Sequence, residues 1–243
     1  MLAKKEIVRI FLLFDGDVER SIQSLDSIFG QTYEFKKLYI VLLTIKNVAE
    51  LIHAMKDHST QVTFVDRTEL QKMLERQDGE YVQILQPGDK MHPNRIMHMI
   101  ECANATKGQI IISKVDSNQN ELIPPEIEIN SYGYDSLKRL NGYNDFLIPM
   151  LQNQGTLISG ISRIMCRQNI FNRVPWIQIW LDSLNLDQFN LETSTIIFLA
   201  NLIPNKTILF LNEKLIQRGI KPWSQEDLDF HNKNCQQMLK QIT

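Results

Sequence analysis

Residues 79–95 read GEYVQILQPGDKMHPNR. Gly79 closes one segment, and 81–85 is a short, largely apolar run of the kind that forms a strand. Gln86-Pro87-Gly88-Asp89 is a turn, and Pro93 stands where a helix starts. A strand that ends in a polar turn and feeds a helix N-terminus is where open α/β sheets place ligands. The carboxyl edge of the strand and the helix dipole leave a crevice that favours anions. Asp89, at the mouth of that crevice, is either a metal or sugar contact or an ordinary Pro-Gly turn residue that tolerates left-handed backbone.

Upstream, the same unit recurs three times. Residues 7–13 are almost continuously apolar, as a strand buried on both faces should be, and Phe14-Asp15-Gly16-Asp17 breaks the run. Val18, Ile22, Leu25 and Phe29 then recur at helical spacing, with Gly30 as the stop. A second strand over 38–43 precedes a helix capped by Asn47, whose buried face is Val48, Leu51, Ile52 and Met55. A third strand over 62–65 precedes a helix capped by Thr68 and bearing Leu70, Met73 and Leu74. Four alternating strand-helix units predict a mostly parallel sheet with helices on both faces.

Downstream, Ile96, Met97 and Ile100 form another helical stripe. Residues 109–115 read as a strand and Asp116-Ser117-Asn118 as a hairpin tip. From 122 to 155 the pattern weakens into irregular chain with Tyr132, Tyr134 and Tyr143, which either bind a sugar or peptide or pack down as cover. A strand region over 156–166 ends in Arg167. Apolar helices follow over 176–184 and 191–202, the first serving as core or as a surface for a second copy or another protein. A late strand covers 207–211, and Ser224 with Asp227 forms a capping box for a last helix.

Composition bounds the function. The chain has 243 residues, 43% of them hydrophobic, and a formal net charge of −2. That is enough apolar material for one sizeable domain, and no cationic run marks a nucleic-acid or polybasic membrane site. No apolar run approaches the length of a membrane span. The N-terminal apolar stretch, 10–14, is too short for a signal core. Cys102, Cys166 and Cys235 are widely spaced with no CxxC pair, so reduced thiols in a cytoplasmic protein, free or peripheral at a membrane, are the expectation.

Several ordered pieces resemble nucleotide-sugar glycosyltransferases of the inverting family 2 type, with the GT-A fold. Leu25-Asp26-Ser27-Ile28 and Gln31-Thr32-Tyr33 match that family's first helix, and DGEYVQILQPGDKMHPNRI matches its Gly-Glu-Tyr…Asp-x-Asp-Asp…Pro segment. ILFLNEKLIQRG, from Ile208, resembles the strand after the catalytic helix. The resemblance covers essentially the whole chain and implies a single GT-A-like domain. Residues 1–115 would form the nucleotide-sugar-binding half and 116–243 the acceptor-side half.

The same resemblance implies a donor site containing Phe14, Asp15, Thr44, Gln86, Asp89 and Arg167. Asp89 and His231 would hold a divalent Mn²⁺ or Mg²⁺, and Glu192, in Leu191-Glu192-Thr193, would be the catalytic base. The acceptor would be a glycan, a lipid or a protein. The departures are specific. Leu42-Leu43-Thr44 replaces the acidic pair that holds base and ribose, and the family's Asp-x-Asp falls on Gln86-Pro87-Gly88. A hard divalent ion prefers carboxylate oxygens, so a degenerate donor site serving a scaffold or binding role stands beside the enzyme reading. A nucleotide-binding regulator on a similar sheet is a third. Asp15, Asp17 and Glu192 can each be ordinary turn or helix-start acids, His92 a solvated loop residue, and Arg163 and Arg167 structural ion-pair partners.

Overall fold

Strand β1 (Val8–Phe14) is buried along its whole length. It belongs to a computed structural model that describes residues 6–55, 58–76, 81–116, 137–141, 148, 161–171 and 207–217, with 229, 233, 235–237 and 240. β1 pairs in parallel with β2 (Lys36–Leu42) on one side and with β4 (Tyr81–Leu85) on the other. β2 pairs in parallel with β3 (Val62–Val65). Between them run α1 (Val18–Phe29), α2 (Val48–Ala54) and α3 (Arg67–Glu75).

The order β3-β2-β1-β4 sends the first two crossovers one way across the sheet and the third back. Right-handed crossovers then put α1 and α2 on one face and α3 on the other. Burial agrees, because side chains alternate along a strand. Val8, Ile10, Leu12 and Phe14 share a core with Leu25, Ile28 and Leu51. Arg9 points the other way and donates to the Met73 carbonyl of α3 at 3.1 Å.

Local chemistry moves a few boundaries. Asp66, not Thr68, caps α3: its carboxylate accepts from Glu69 N (2.7 Å) while the Glu69 carboxylate accepts from Asp66 N (3.1 Å), a reciprocal capping box. Asn47 does precede α2, but in left-handed backbone, and its amide donates to the Gly16 carbonyl at 2.8 Å instead of capping. Ile52, expected on the buried face, is exposed, whereas Leu51 and Met55 are buried. The helix after Pro93, α4 (Arg95–Thr106), starts at Arg95.

Beyond β4 the sheet becomes mixed. β8 (Ile164–Arg167) inserts antiparallel between β4 and β6 (Ile110–Asp116), after a 3₁₀ turn at Ile161–Arg163. β9 (Thr207–Gln217) runs parallel to β6. On its other side lie β7 (Leu137–Asn141) and the two-residue β5 (Lys90–Met91), both antiparallel. β7 corrects the expectation of irregular chain over 122–155. Its sequence, LKRLN, spaces two leucines three apart and shows no strand-like alternation. Among the described residues the sheet has nine strands, and no helix there is long and apolar enough to cross a membrane. The expected helices over 176–184 and 191–202, Tyr132, Tyr134, Tyr143, the turn after Asp116 and the Ser224 cap lie outside the described residues.

Gly108, between α4 and β6, leaves no room for a side chain. A Cβ there would sit 2.0 Å from Leu209 Cδ1 and 2.8 Å from its Cγ, and Leu209 is buried. Gly108→Ala is expected to destabilise the protein by about 1–3 kcal/mol through overpacking. The readout is a lower urea midpoint at unchanged m-value. A loss too small to measure would show that Leu209 moves aside.

Candidate functional site

The carboxyl end of β4 is held from two sides. From α1 and the residues just after it comes a polar stripe, Arg20, Ser24, Ser27 and Gln31, repeating at spacings of four, three and four beside the apolar one. Ser24 Oγ accepts from Gly88 N at 2.9 Å and lies 3.3 Å from the Gln86 carbonyl. Ser27 Oγ accepts from Met91 N at 3.1 Å. Gln31 donates to the His92 carbonyl (2.8 Å) and accepts from Ile96 N (3.2 Å), satisfying an N–H that the first turn of α4 leaves open. From the other side, Ser162 Oγ accepts from Gln86 N at 2.9 Å.

The turn itself is tight. Asp89 N donates to the Gln86 carbonyl (3.2 Å), with Pro87 second and Gly88 third at φ 88°. A proline followed by a positive φ that favours glycine is the type II pattern. All four turn residues are buried, Asp89 at 1% exposure. The crevice lip expected for Asp89 is therefore corrected: this carboxylate is inside the protein.

What Asp89 meets there is charge. Arg95, at the start of α4, is fully buried and donates to Gln83 Oε1 (3.0 Å), to the Ser162 carbonyl (2.8 Å) and to Ser113 Oγ. Arg163 Nε donates to the Ser113 carbonyl at 2.9 Å. Burial pulls the Arg95 guanidinium down to about 9; Arg163 pushes the same way, and Asp89 opposes both. Arg95 is still charged at neutral pH, and Asp89 supplies compensating negative charge under the sheet.

An open cleft of about 420 Å³ lies at the carboxyl ends of β1 and β2, lined by Asp15, Gly16, Asp17, Val18, Glu19, Lys46, Asn47 and Glu50. Gly16 sits at φ 91°, and a Cβ there would come 3.2 Å from Thr44 Cγ2, so the turn after β1 needs glycine twice over. Asp17 caps α1, accepting from Arg20 N at 3.1 Å. Asp15 Oδ1 accepts from Asp17 N at 3.1 Å. Thr44 Oγ1 accepts from Lys46 N at 3.2 Å and shapes the facing loop. Arg20 joins cleft to turn. Its Nη2 donates to the Pro87 carbonyl at 2.6 Å, and its Nη1 stands 3.5 Å from Asp15 Oδ2.

The residues expected to form one donor site separate into three places. Asp15 lines the cleft and Thr44 borders it. Phe14, Gln86 and Asp89 are buried behind it; the Phe14 side chain belongs to the core and offers a ligand nothing but backbone. Arg167 is at the wrong edge. It pairs across from Tyr81, the first residue of β4, about 20 Å from the cleft by the rise of β1. There it faces Glu6 at 3.7 Å, donates to the Gly108 carbonyl and Asn104, and stacks over the Tyr81 ring. That is a structural role, the alternative reading for this arginine. His92 is exposed on its loop. Glu192 and His231 lie outside the described residues.

Among the described residues no three His, Cys, Asp or Glu side chains cluster to hold a metal ion. At the turn, Pro87 and Gly88 have no ligating side chain, and Gln86 and Asp89 are buried. That set does not fit a hard divalent ion bridging a diphosphate, which needs several accessible oxygens. Arg20, Lys46 and Glu50 escaped sequence reasoning; the stripe Arg20-Ser24-Ser27-Gln31 was the available signal for the first.

Parallel β3-β2-β1-β4 followed by a mixed extension, with a cleft at the carboxyl edge, is the GT-A-like arrangement of glycosyltransferases. Solved structures agree on the fold. S. aureus TarS 1-349 in complex with UDP superposes with a TM-score of 0.60 at 10% identity, covering 97% of this chain and 70% of that one. A longer TarS structure gives 0.59 at 11% identity, with 97% of this chain covering 42% of that one. The mannosyltransferase PcManGT from Pyrobaculum calidifontis, in complex with GDP-Man and Mn²⁺, gives 0.57 at 11% identity, covering 99% and 65%. No protein-family model and no curated protein matches the sequence.

Proposed function

We propose that this chain binds a nucleoside-diphosphate sugar in the cleft at the carboxyl ends of β1 and β2 and transfers the sugar, with inversion, to a glycan, lipid or protein acceptor. The observation that carries this reading is the cleft's position and lining. It sits where doubly wound sheets bind nucleotides, and Asp17, Asn47 and Glu50 offer acceptors to the N–H of a base and the hydroxyls of a ribose. The similar structures were solved with UDP and with GDP-Man, which supports a donor of this class. Residues 1–115 would form the donor half and 116–243 the acceptor half. Glu192 would act as base toward the acceptor hydroxyl, with Asp15 at the nucleotide.

A second reading rests on the buried turn. With no solvent-facing carboxylate at Gln86–Asp89, the domain would bind a nucleotide, or a partner in glycan assembly, without catalysis.

The first test is a thermal-shift panel of UDP-, GDP- and dTDP-sugars with and without Mn²⁺. A ligand that binds only the native state stabilises it by about 2.7 kcal/mol at a hundred times its Kd, a shift of roughly 2–4 °C per kcal/mol for a chain of this size. Stabilisation by a nucleotide sugar supports the donor cleft. No shift with any of them removes it.

A further inference from the structure

We propose that the base of the donor nucleotide is guanine, held by its pairing edge between the Lys46 ammonium and the Glu50 carboxylate. This assignment rests on the donor-cleft reading and deepens it by naming the nucleotide.

Two side chains of opposite charge line the cleft and leave each other unneutralised. Lys46 and Glu50 both belong to its lining, and both are exposed. Among the described residues neither side chain makes an ion pair or a hydrogen bond. Residues four apart meet when both are helical. Here Asn47, at φ 61°, turns the chain out of the helical path, so Lys46 lies on the loop and Glu50 in the first turn of α2.

The backbone presenting them is nevertheless fixed. Lys46 N donates to Thr44 Oγ1 at 3.2 Å, and the Asn47 amide donates to the Gly16 carbonyl at 2.8 Å. Leu51 N, next to Glu50, donates to the Asn47 carbonyl at 3.0 Å. The cleft, at about 420 Å³, has the size of a small-molecule site.

An ammonium only donates, and a carboxylate only accepts, at two oxygens. The pair therefore offers one donor followed by two acceptors. Guanine's pairing edge runs in the complementary order, the O6 acceptor and then the N1–H and N2–H donors. Lysine on O6 and a bidentate carboxylate on the two N–H groups satisfy all three positions, with every bond charge-assisted. Uracil and thymine give O4 to the lysine and N3–H to the carboxylate, but their O2 then meets the second carboxylate oxygen, acceptor against acceptor. Adenine and cytosine each carry a single donor group on this edge and cannot engage both oxygens. The neighbouring Asp17 and Glu19 add acceptors, which again favours the base richest in donors.

The test is calorimetric titration of the full chain, in Mn²⁺ and in EDTA, with GDP, IDP, UDP, ADP and CDP. IDP is GDP without the 2-amino group, so the wild type alone reads the third contact. GDP is expected to bind about 10- to 100-fold more tightly than IDP or UDP, the worth of one hydrogen bond to a charged group. In Glu50→Gln, GDP and IDP should become nearly equal, while UDP changes little. Lys46→Met should weaken GDP and IDP alike, since both carry O6. Both residues are exposed, and melting curves check that the variants fold. Equal affinity for GDP and IDP, or UDP binding as tightly as GDP, overturns the assignment and leaves the donor cleft standing. GDP affinity unchanged in either variant overturns it too, by placing the readout elsewhere. Binding of no nucleotide in either buffer overturns the donor-cleft reading, and the assignment falls with it.

Discussion

Asp89→Asn is expected to destabilise the protein by about 3–5 kcal/mol, the loss typical of removing one partner from a buried charge pair. Arg95 is fully buried and Arg163 lies close enough to disfavour its charge. The uncharged amide would keep much of the volume of Asp89 while taking away the charge that opposes the two guanidinium groups. The pH dependence separates this from a packing defect. Asp89 raises the pKa of Arg95, so its removal lowers further a folded-state value that burial has already pulled down from the ordinary guanidinium range to about 9. The unfolded chain then binds more protons than the native one at alkaline pH, and stability rises with pH in that range. The variant's deficit, measured by urea unfolding, should therefore narrow as pH climbs from 7 toward 10. A constant deficit, or one below 1 kcal/mol as for exposed pairs, would remove Asp89 from the role of counter-charge.

Glu192→Gln should lower turnover by about 10²–10⁴-fold, the usual worth of a general base, while melting temperature and donor affinity stay at wild-type values. Glutamine keeps the shape of the side chain but cannot take the acceptor's proton. The readout is release of free nucleoside diphosphate from UDP-, GDP- and dTDP-sugars, which follows transfer to water as well as to an acceptor. Turnover unchanged in the variant would strike Glu192 from the mechanism. A wild type that binds a nucleotide sugar and releases nothing would favour the binding-only reading instead. Together with the thermal-shift panel, this separates a live donor pocket from a live active site.

The parallel half was legible because its signals are local. β1 announces itself through six apolar residues out of seven, broken only by Arg9, and β3 and β4 coincide with their apolar runs. The motif Gln31-Thr32-Tyr33 was visible only by resemblance, and its chemistry is now plain. Gln31 and Thr32 bind the chain ahead of α4, and the Tyr33 hydroxyl donates to the Glu6 carbonyl at 2.5 Å. The site was less legible, since three-dimensional placement decides it. Arg167 looks like a phosphate ligand until the antiparallel direction of β8 carries it to the far edge. Asp89 looks like a turn residue open to solvent until Arg95, six positions on, turns inward beneath it. The polar stripe of α1 was overlooked because a surface helix is read by its apolar face, whereas Ser24, in the middle of that stripe, is completely buried.

The insertion of β8 between β4 and β6 also bears on how the chain is made. Gln83 and its acceptor Ser162 stand 79 positions apart, so a ribosome at the ordinary pace of about 5–20 residues per second needs roughly 4–16 s to deliver the second after the first. Through that interval the nascent β1–β4 block carries a bare hydrogen-bonding edge along β4 and an arginine at position 95 still waiting for Ser162. Until that late segment arrives, the emerging polypeptide presents a template for off-pathway strand addition. Chaperone capture during synthesis would be concentrated there.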